Sequence, residues 1–425
     1  MNICFVTEEF PPETGWGGIG SYFWEVSHGL ASLGHRVDVI TYGREMGVKN
    51  IHEKLYVHKI NTRKITPFSS ELINAFNCFS RRICVGTLKR LQWSMAAARY
   101  FRRLQATAKS DLLEFSEAYG AGFFFRSFEI PTVVKLHLPL KMASILCGHD
   151  DRIDYHLQDI IEKYVTHSAS AVIGCSKAIL EEVDSTWGLD GQETFVINNP
   201  IDNDFFNPLC SSQKNSNRYE KKKLTIGYFG RIDSGKGVDV LYEAFKEAAN
   251  TAEKTIELVF VGQDRSRPHY QQTWSEYLME CARNDGLSEH IKFLGYYPRN
   301  ELPLMYSSFD ICVVPSKKFE NFPYACLEPM SCGRAVVASR CGGIPEMIED
   351  GISGLLVKPG NSSSLARALV KLIENGNLRK SLGRNARQRV ENLYSRTYIA
   401  KKTLQLYKKV LQESHSPTGR PHESF

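Results

Sequence analysis

"MNICFVTEEFPPETGWGGIGSYFWEVSHGLASLGHRVDVIT" (residues 1–41) places two apolar runs rich in β-branched residues, Ile3 to Thr7 and Arg36 to Thr41, on either side of a helical pattern. From Ser21 to Leu33 the residues Tyr22, Phe23, Val26, Leu30 and Leu33 recur at helical spacing. Strand, helix, strand is a βαβ unit, which predicts two parallel strands crossed by a helix. Gly15, Gly17 and Gly20 inside the connection satisfy G-x-G-x-x-G, the pattern that cradles a pyrophosphate in dinucleotide-binding folds. Two features argue against that use. Seven residues, Glu8 to Thr14, separate the strand from the first glycine. The second strand ends in Thr41-Tyr42-Gly43-Arg44, and Asp38, at about the sequence distance expected of an acidic ribose anchor, lies inside it rather than at its tip. What survives is a run of bare amides at a helix start, where Gly17 and Gly18 let an anion or a sugar come close.

Outward from this unit the alternation continues. Leu55 to Ile60, Leu112 to Phe115, Thr132 to Leu136 and Ala171 to Gly174 read as strands, with helical stretches between several of them. Such alternation implies a mostly parallel sheet covered on both faces. The stretch Ser211-Ser212-Gln213-Lys214-Asn215-Ser216-Asn217 is polar and turn-rich and reads as a linker. Beyond it the alternation restarts, with strands at Leu224 to Phe229, Ile256 to Val261, Ile291 to Phe293, Ile311 to Val314 and Ala335 to Ala338 and a helix at Val238 to Asn250. The predicted organisation is an N-terminal domain (1–210), a linker (211–222), a C-terminal domain (223–392), a helix (393–412) and a polar, disordered tail (413–425). Two doubly wound domains in tandem fit the 425-residue length.

Composition narrows the class. Hydrophobic residues make up 42% and charged residues 24%, as in soluble globular proteins. No stretch approaches the roughly 18 apolar residues that a spanning helix needs. The first strand begins at Ile3, so no secretory leader is read, and the eleven cysteines are never spaced C-x-x-C. Reduced thiols in a cytoplasmic protein without a zinc site are expected. The net charge of +6 is unevenly spread: from Leu72 to Ser110 there is no acidic residue, while Arg81, Arg82, Lys89, Arg90, Arg99, Arg102, Arg103 and Lys109 are basic. Trp93, Tyr100, Phe101 and Leu104 are interspersed. The segment 72–110 therefore reads either as a basic amphipathic helix or helix pair resting on the anionic inner face of a membrane, or as a solvated helical face over a core. No nucleic-acid motif accompanies it.

The chemistry concentrates in the second half. "GYFGRIDSGKGVDVL" (227–241) puts Gly230, Arg231 and Lys236 in a loop that leaves a strand and enters a helix, so a guanidinium, an ammonium and helix amides converge, as a diphosphate requires. "SKKFENFPYACLEPMSCGRAVVASRCGGIPEMIEDGISGLLV" (316–357) holds Glu320 in the loop after a strand and Glu328 near the start of the predicted helix Tyr324 to Ser331.

These segments stand in the same order as in family 4 retaining glycosyltransferases of the GT-B fold, together with the Gly17-Gly18 loop, "VVKLHLPL" with His137, "VIGCSK" with Ser176, "NNPIDNDFFNP" and "FVGQD". The chain resembles that family over nearly its whole length. The resemblance implies an α/β protein of two Rossmann-like doubly wound domains facing a central cleft, with the C-terminal helix packing back on the N-terminal domain. It implies transfer of a sugar from a nucleoside-diphosphate sugar to a hydroxyl of a glycan or lipid-linked glycan, in cell-envelope polysaccharide synthesis. Arg231 and Lys236 would neutralise the departing diphosphate, so that no metal and no cofactor beyond the donor substrate are required. Glu328 would take the ribose hydroxyls and Glu320 a hydroxyl of the donor sugar. The amides of Asn321 and Phe322 would hold further oxygens, His137 would approach the sugar from the N-terminal domain, and Gly17 and Gly18 would line the phosphate or acceptor side.

Some positions depart from the family or imitate other sites. Asn198-Asn199-Pro200 replaces Pro-Asn-Gly, and Pro329 and Arg334 stand where Ala and Pro are usual, none of them at the site residues. Asp202-Asn203-Asp204 matches a metal-binding D-x-D, but turn chemistry explains it. His149-Asp150-Asp151 with Asp154 and His156 imitates a metal cluster, and a loop with a helix start explains that as well. Ser176 reads as a helix N-cap. Two other functions share the architecture: a nucleotide-sugar epimerase, and a non-catalytic nucleotide-sugar-binding subunit.

Overall fold

The computed structural model describes residues 1–66, 84–147, 153–208, 223–268 and 270–414. The chain forms two compact units, one of residues 1–200 with the C-terminal helix and one of residues 201–395.

The first unit is built on eight strands: β1 (Asn2–Val6), β2 (Arg36–Tyr42), β3 (Gly47–His52), β4 (Leu55–Ile60), β5 (Leu112–Ser116), β6 (Thr132–Leu136), β7 (Ala171–Gly174) and β8 (Thr194–Val196). Their spatial order is β3-β4-β2-β1-β5-β6-β7-β8, and every pair is parallel except β3 with β4. Ile3, Phe5, Val37, Val39, Leu112 and Val133 are buried, as expected for strands covered on both faces. The helix Gly18–Ser32 lays Phe23, Val26 and Leu30 on this sheet. It starts three residues earlier than the apolar spacing predicted, because Gly17 itself takes the extended cap conformation. The edge strand β3 carries no apolar alternation and is largely exposed, so no periodicity announces it.

The helix Arg396–Ser414 packs against the helix Gly18–Ser32 and belongs to this unit. Arg396 Nη2 lies 2.7 Å from the fully buried Glu25 carboxylate. Tyr407 donates its hydroxyl to Glu114 in β5, which also accepts from Tyr22 at 2.8 Å.

The second unit has six strands, all parallel: β9 (Leu224–Phe229), β10 (Ile256–Val261), β11 (Ile291–Phe293), β12 (Ile311–Val314), β13 (Ala335–Ser339) and β14 (Leu355–Val357), in the order β11-β10-β9-β12-β13-β14. In both sheets the chain winds outward from the first strand on one side and returns to its other side. The strand order therefore reverses between β1 and β5 and between β9 and β12, and in such sheets ligands bind at the carboxyl ends of those strands.

The unit boundary differs from the predicted one at 210. Ile201 donates its N–H to the Tyr394 carbonyl at 2.9 Å. The Phe206 carbonyl accepts from Ser331 Oγ and from Arg387 Nη1, both at 2.8 Å. Residues 201–208 are thus tied into the second unit, and the chain leaves it again at Ser395. The predicted linker 211–222 lies outside the described residues, as does the tail from 415; Glu413 and Ser414 complete the last helix.

Of the basic segment, 72–83 lies outside the described residues and the rest contains the helix Val85–Leu104. Its Trp93, Ala96, Ala97 and Phe101 are buried. Lys89, Arg99, Arg102 and Arg103 are exposed, and Arg90 turns inward over the Tyr119 ring at 4.9 Å. The apolar side of this helix is spent on the core, so it is not the lipid-facing surface that the amphipathic reading expected. Among the described residues no helix is long and apolar enough to cross a membrane, and eight cysteines are free.

Candidate active site

The loop after β9 is shaped from within. Gly230 donates its N–H to the Val261 carbonyl at 3.0 Å, holding the strand end against β10. Asp233 Oδ1 accepts the Lys236 N–H at 3.0 Å, and its other oxygen lies 3.3 Å from Arg231 Nε. Gly237 has φ +75°, and a Cβ there would fall 2.0 Å from the Pro315 carbonyl oxygen, so only glycine lets the loop rest on the end of β12. The helix Val238–Thr251 follows directly with no side-chain cap, leaving a helix start at the same place.

The loop after β12 meets it. Lys236 Nζ lies 2.5 Å from Glu320 Oε1, and the same oxygen accepts from Ser316 Oγ at 2.7 Å. Lys317 Nζ donates to Ser234 Oγ at 2.6 Å and to Asp239 Oδ2 at 2.8 Å, fastening the two loops a second time. The Glu320 backbone is clamped by the Gly342-Gly343 pair: Gly343 donates its N–H to the Glu320 carbonyl at 2.7 Å. Gly342 sits at φ +52° with its Cβ position 2.1 Å from that carbonyl oxygen. The structure thus brings Arg231, Lys236 and Glu320 to one switch point.

Glu328 is the fifth residue of the helix Tyr324–Ser331, which has the bounds read from the sequence. It is buried, and Tyr306 donates its hydroxyl to Oε2 at 2.6 Å. Burial and this carboxylate push the Tyr306 hydroxyl well above its ordinary range. Phe322 is buried edge-on to Tyr394 at 5.2 Å. Asn321 Oδ1 is buried without a hydrogen-bond partner.

His137, Gly17 and Gly18 belong to the first unit. His137 follows β6, donates its backbone N–H to Glu117 Oε1 at 2.8 Å and packs its ring against Tyr22. Burial and the Lys135 ammonium push its pKa down to about 3, so the imidazole is neutral, and its Nε2 is buried without a partner. A buried ring nitrogen without a partner calls for one, and a ligand hydroxyl is one group that would supply it. At the glycine loop a carboxylate of the chain itself stands beside the helix start. Glu9 accepts the Gly20 N–H, and its Oε2 lies 2.7 Å from where a Gly17 Cβ would be. A carboxylate of the chain already sits at this helix start, the place an external anion would take. A Gly18 Cβ would meet nothing within 4 Å, so that position stays open.

Beside it, at the carboxyl ends of β1 and β5, lies a small cavity lined by Thr7, Glu8, Glu9, Ile19, Ser116 and Tyr119 among others. Burial raises the Glu8 carboxyl to about 7 and that of Glu9 in the same direction. Tyr119 takes the left-handed conformation (φ 69°), unusual for a residue with a side chain. Its N–H donates to Glu162 at 2.9 Å and its hydroxyl points to Glu9 at 3.4 Å. Sequence reasoning named none of Tyr306, Ser316, Glu9 or Tyr119. Ser316 stood two residues after a strand end and was within reach of it; the others are set by packing between distant segments.

The residues that imitated other sites are explained locally. Asp202 Oδ1 accepts the N–H groups of Asp204 and Phe205, an Asx turn. Asp154 accepts the Thr87 N–H, and Ser176 caps its helix through the Ile179 N–H. His149 to Asp151 lie outside the described residues. Among the described residues no group of three His, Cys, Asp or Glu is placed to hold a metal ion.

Two doubly wound units, each with a switch point at its strand ends, have the architecture of the GT-B glycosyltransferases. The chain belongs to the family 4 glycosyltransferases: residues 16–205 match the model "Glycosyltransferase Family 4" and residues 211–389 match "Glycosyl transferases group 1". It is 25% identical to an uncharacterized glycosyltransferase of Methanocaldococcus jannaschii, over 96% of this chain and 98% of that one. Its fold is similar to sucrose-phosphate synthase from Thermosynechococcus elongatus (TM-score 0.74, 21% identity, 97% and 99% of the two chains). It is similar also to HepE of Anabaena, solved in complex with UDP and glucose (TM-score 0.65, 18% identity, 96% and 100%).

Proposed function

We propose that this glycosyltransferase works with retention of configuration and without a metal, and that its site residues act as follows. The observation that carries the reading is the constellation of Lys236, Glu320 and Ser316 beside the Arg231 loop. Arg231 and Lys236 hold the donor diphosphate and offset the charge that grows as the bond from the anomeric carbon to phosphate oxygen breaks. Glu320, oriented by Lys236 and Ser316, accepts a hydrogen bond from a hydroxyl of the donor sugar. A carboxylate engaged in this way is a positioning group rather than a nucleophile, which favours attack by the acceptor on the face that the phosphate leaves. The acceptor oxygen bonds to the anomeric carbon, and its proton passes to the departing phosphate oxygen. Glu328, oriented by Tyr306, takes the ribose hydroxyls, and Asn321 and Phe322 supply amides. His137 offers a neutral Nε2 to a sugar hydroxyl.

For the acceptor we infer a hydroxyl-bearing ring of a glycan or lipid-linked glycan in cell-envelope polysaccharide synthesis on the cytoplasmic side. The carboxyl groups of Glu8 and Glu9 at the first unit's switch point suit hydroxyl donors and disfavour a phosphate there. HepE was solved in complex with UDP and glucose, and uridine diphosphate or another nucleoside diphosphate is the ligand to test first. Thermal shifts against UDP, GDP and ADP, with Lys236→Ala as control, are expected to show one nucleotide that stabilises the wild type and not the variant. Transfer with inversion, seen by NMR of the product's anomeric proton, would overturn the retaining mechanism. Conversion of the free nucleotide sugar with no acceptor would instead identify an epimerase.

A further inference from the structure

We propose that the outward face of the helix Ile153–His167 docks this protein on an anionic lipid bilayer. Ile153, Leu157, Ile160 and Tyr164 recur every three to four residues, so they share one helix face, and all four are exposed, Ile160 by 64%. Ile145, 66% exposed, comes from the helix Leu140–Cys147 beside it; the two helices are joined by the Leu140 N–H to Glu162 at 2.8 Å and by Lys141 to Asp159 at 3.6 Å.

The helix is amphipathic in the reverse of the usual sense. Its carboxylates are used inside: Glu162 is fully buried and accepts two backbone N–H groups. Asp154 takes the Thr87 N–H and Asp159 the Trp187 indole N–H. What it leaves to solvent is branched aliphatic surface with His156 and Lys163 and no exposed carboxylate. Arg126, itself exposed, holds the Tyr164 hydroxyl at 2.6 Å and puts a further cation at the edge of the stripe. Apolar patches of this kind on a soluble chain mark an interaction surface.

Charge decides the occupant. A second copy seated face to face would bring a second Lys163 and Arg126 to the same interface, with no exposed carboxylate of this helix to pair them. Lipid phosphates complement those cations, the aliphatic groups enter the acyl boundary, and a tyrosine with a polar tip suits that depth. This surface is distinct from the basic helix Val85–Leu104, whose apolar side is buried, and the inference does not depend on the catalytic reading.

The test is co-sedimentation of the full chain with vesicles of phosphatidylcholine alone and of phosphatidylcholine with phosphatidylglycerol. The wild type is expected to bind the anionic vesicles, less so as salt is raised. The double variant Ile153→Asp/Ile160→Asp is expected to bind at least about tenfold more weakly with an unchanged thermal melt. Lys163→Ala is expected to lose about fivefold, the effect of one cation near an anionic surface. If the double variant does not fold, Ile160→Ser and Lys163→Ala carry the test. Wild-type protein that stays in the supernatant with both vesicles overturns the proposal, as does a variant that binds like the wild type. A wild-type dimer by light scattering that the double variant makes monomeric would assign the face to a second copy instead.

Discussion

Replacing Lys236 by Ala separates what its ion pair does for the fold from what its ammonium does for the donor. The side chains of Lys236 and Glu320 are 31% and 12% exposed, so water screens the pair, and pairs of this kind contribute about 0.2–1 kcal/mol. Glu320 is not stranded by the change, since it keeps Ser316 Oγ at 2.7 Å and its backbone clamp. A loss of 1 kcal/mol in a unit of this size lowers the melting temperature by about 2–4 °C. In the proposed mechanism the ammonium has a larger effect on the reaction, because it would stand where negative charge grows. Removing one such preorganised group costs about 10²–10³-fold in kcat, or about 2.7–4 kcal/mol. Differential scanning calorimetry and steady-state transfer assays on the same preparation read the two effects apart. The expected result is a nearly unshifted melt with kcat/KM down by about two orders of magnitude, partly recovered in Lys236→Arg. A Lys236→Ala protein that transfers within about threefold of the wild type would refute the role of this residue in leaving-group stabilisation.

Gly342→Ala is expected to destabilise the second unit by about 1–3 kcal/mol and to abolish the nucleotide-induced thermal shift, because its φ of +52° and the Glu320 carbonyl 2.1 Å away leave no room for a methyl group; an unchanged shift would mean the clamp does not position Glu320. Tyr306→Phe removes the hydroxyl that orients the buried Glu328 carboxylate, a bond of about 1.5–3 kcal/mol, and is expected to raise the donor KM more than it lowers kcat; kinetics matching the wild type would count against Glu328 as the ribose ligand. His137 titrates at about 3 in the fold against 6.5 when unfolded, so between those values the unfolded chain binds more protons. Its stabilising contribution is complete above pH 6.5 and is lost as pH falls towards 3, and His137→Gln is therefore expected to lose less stability than the wild type between pH 7 and 4.5 in urea titrations. Parallel pH dependences for the two proteins would show that the ring is not held neutral.

Strand and helix identity were legible because both sheets are covered on two faces: Leu224 to Phe229 and Ile311 to Val314 are apolar runs of strand length, with no other way to be buried. The loops at the second unit's switch point were legible for a related reason. Gly230, Arg231, Lys236 and Glu320 each sit a few residues past a strand end, and in a doubly wound sheet the strand ends converge. What local sequence left open was which charges neutralise one another. Nothing near Gly17 announces that Glu9 would occupy its helix start, and nothing near Val85 announces that Trp93 and Phe101 face the core while Ile160 on another helix faces solvent. Those outcomes depend on which distant segments pack together, and so does the boundary at Pro200, where a hydrogen bond from Ile201 to Tyr394 draws the chain into the second unit. Sequence periodicity fixes which face of an element is apolar. Only tertiary packing decides whether that face is covered, and by what.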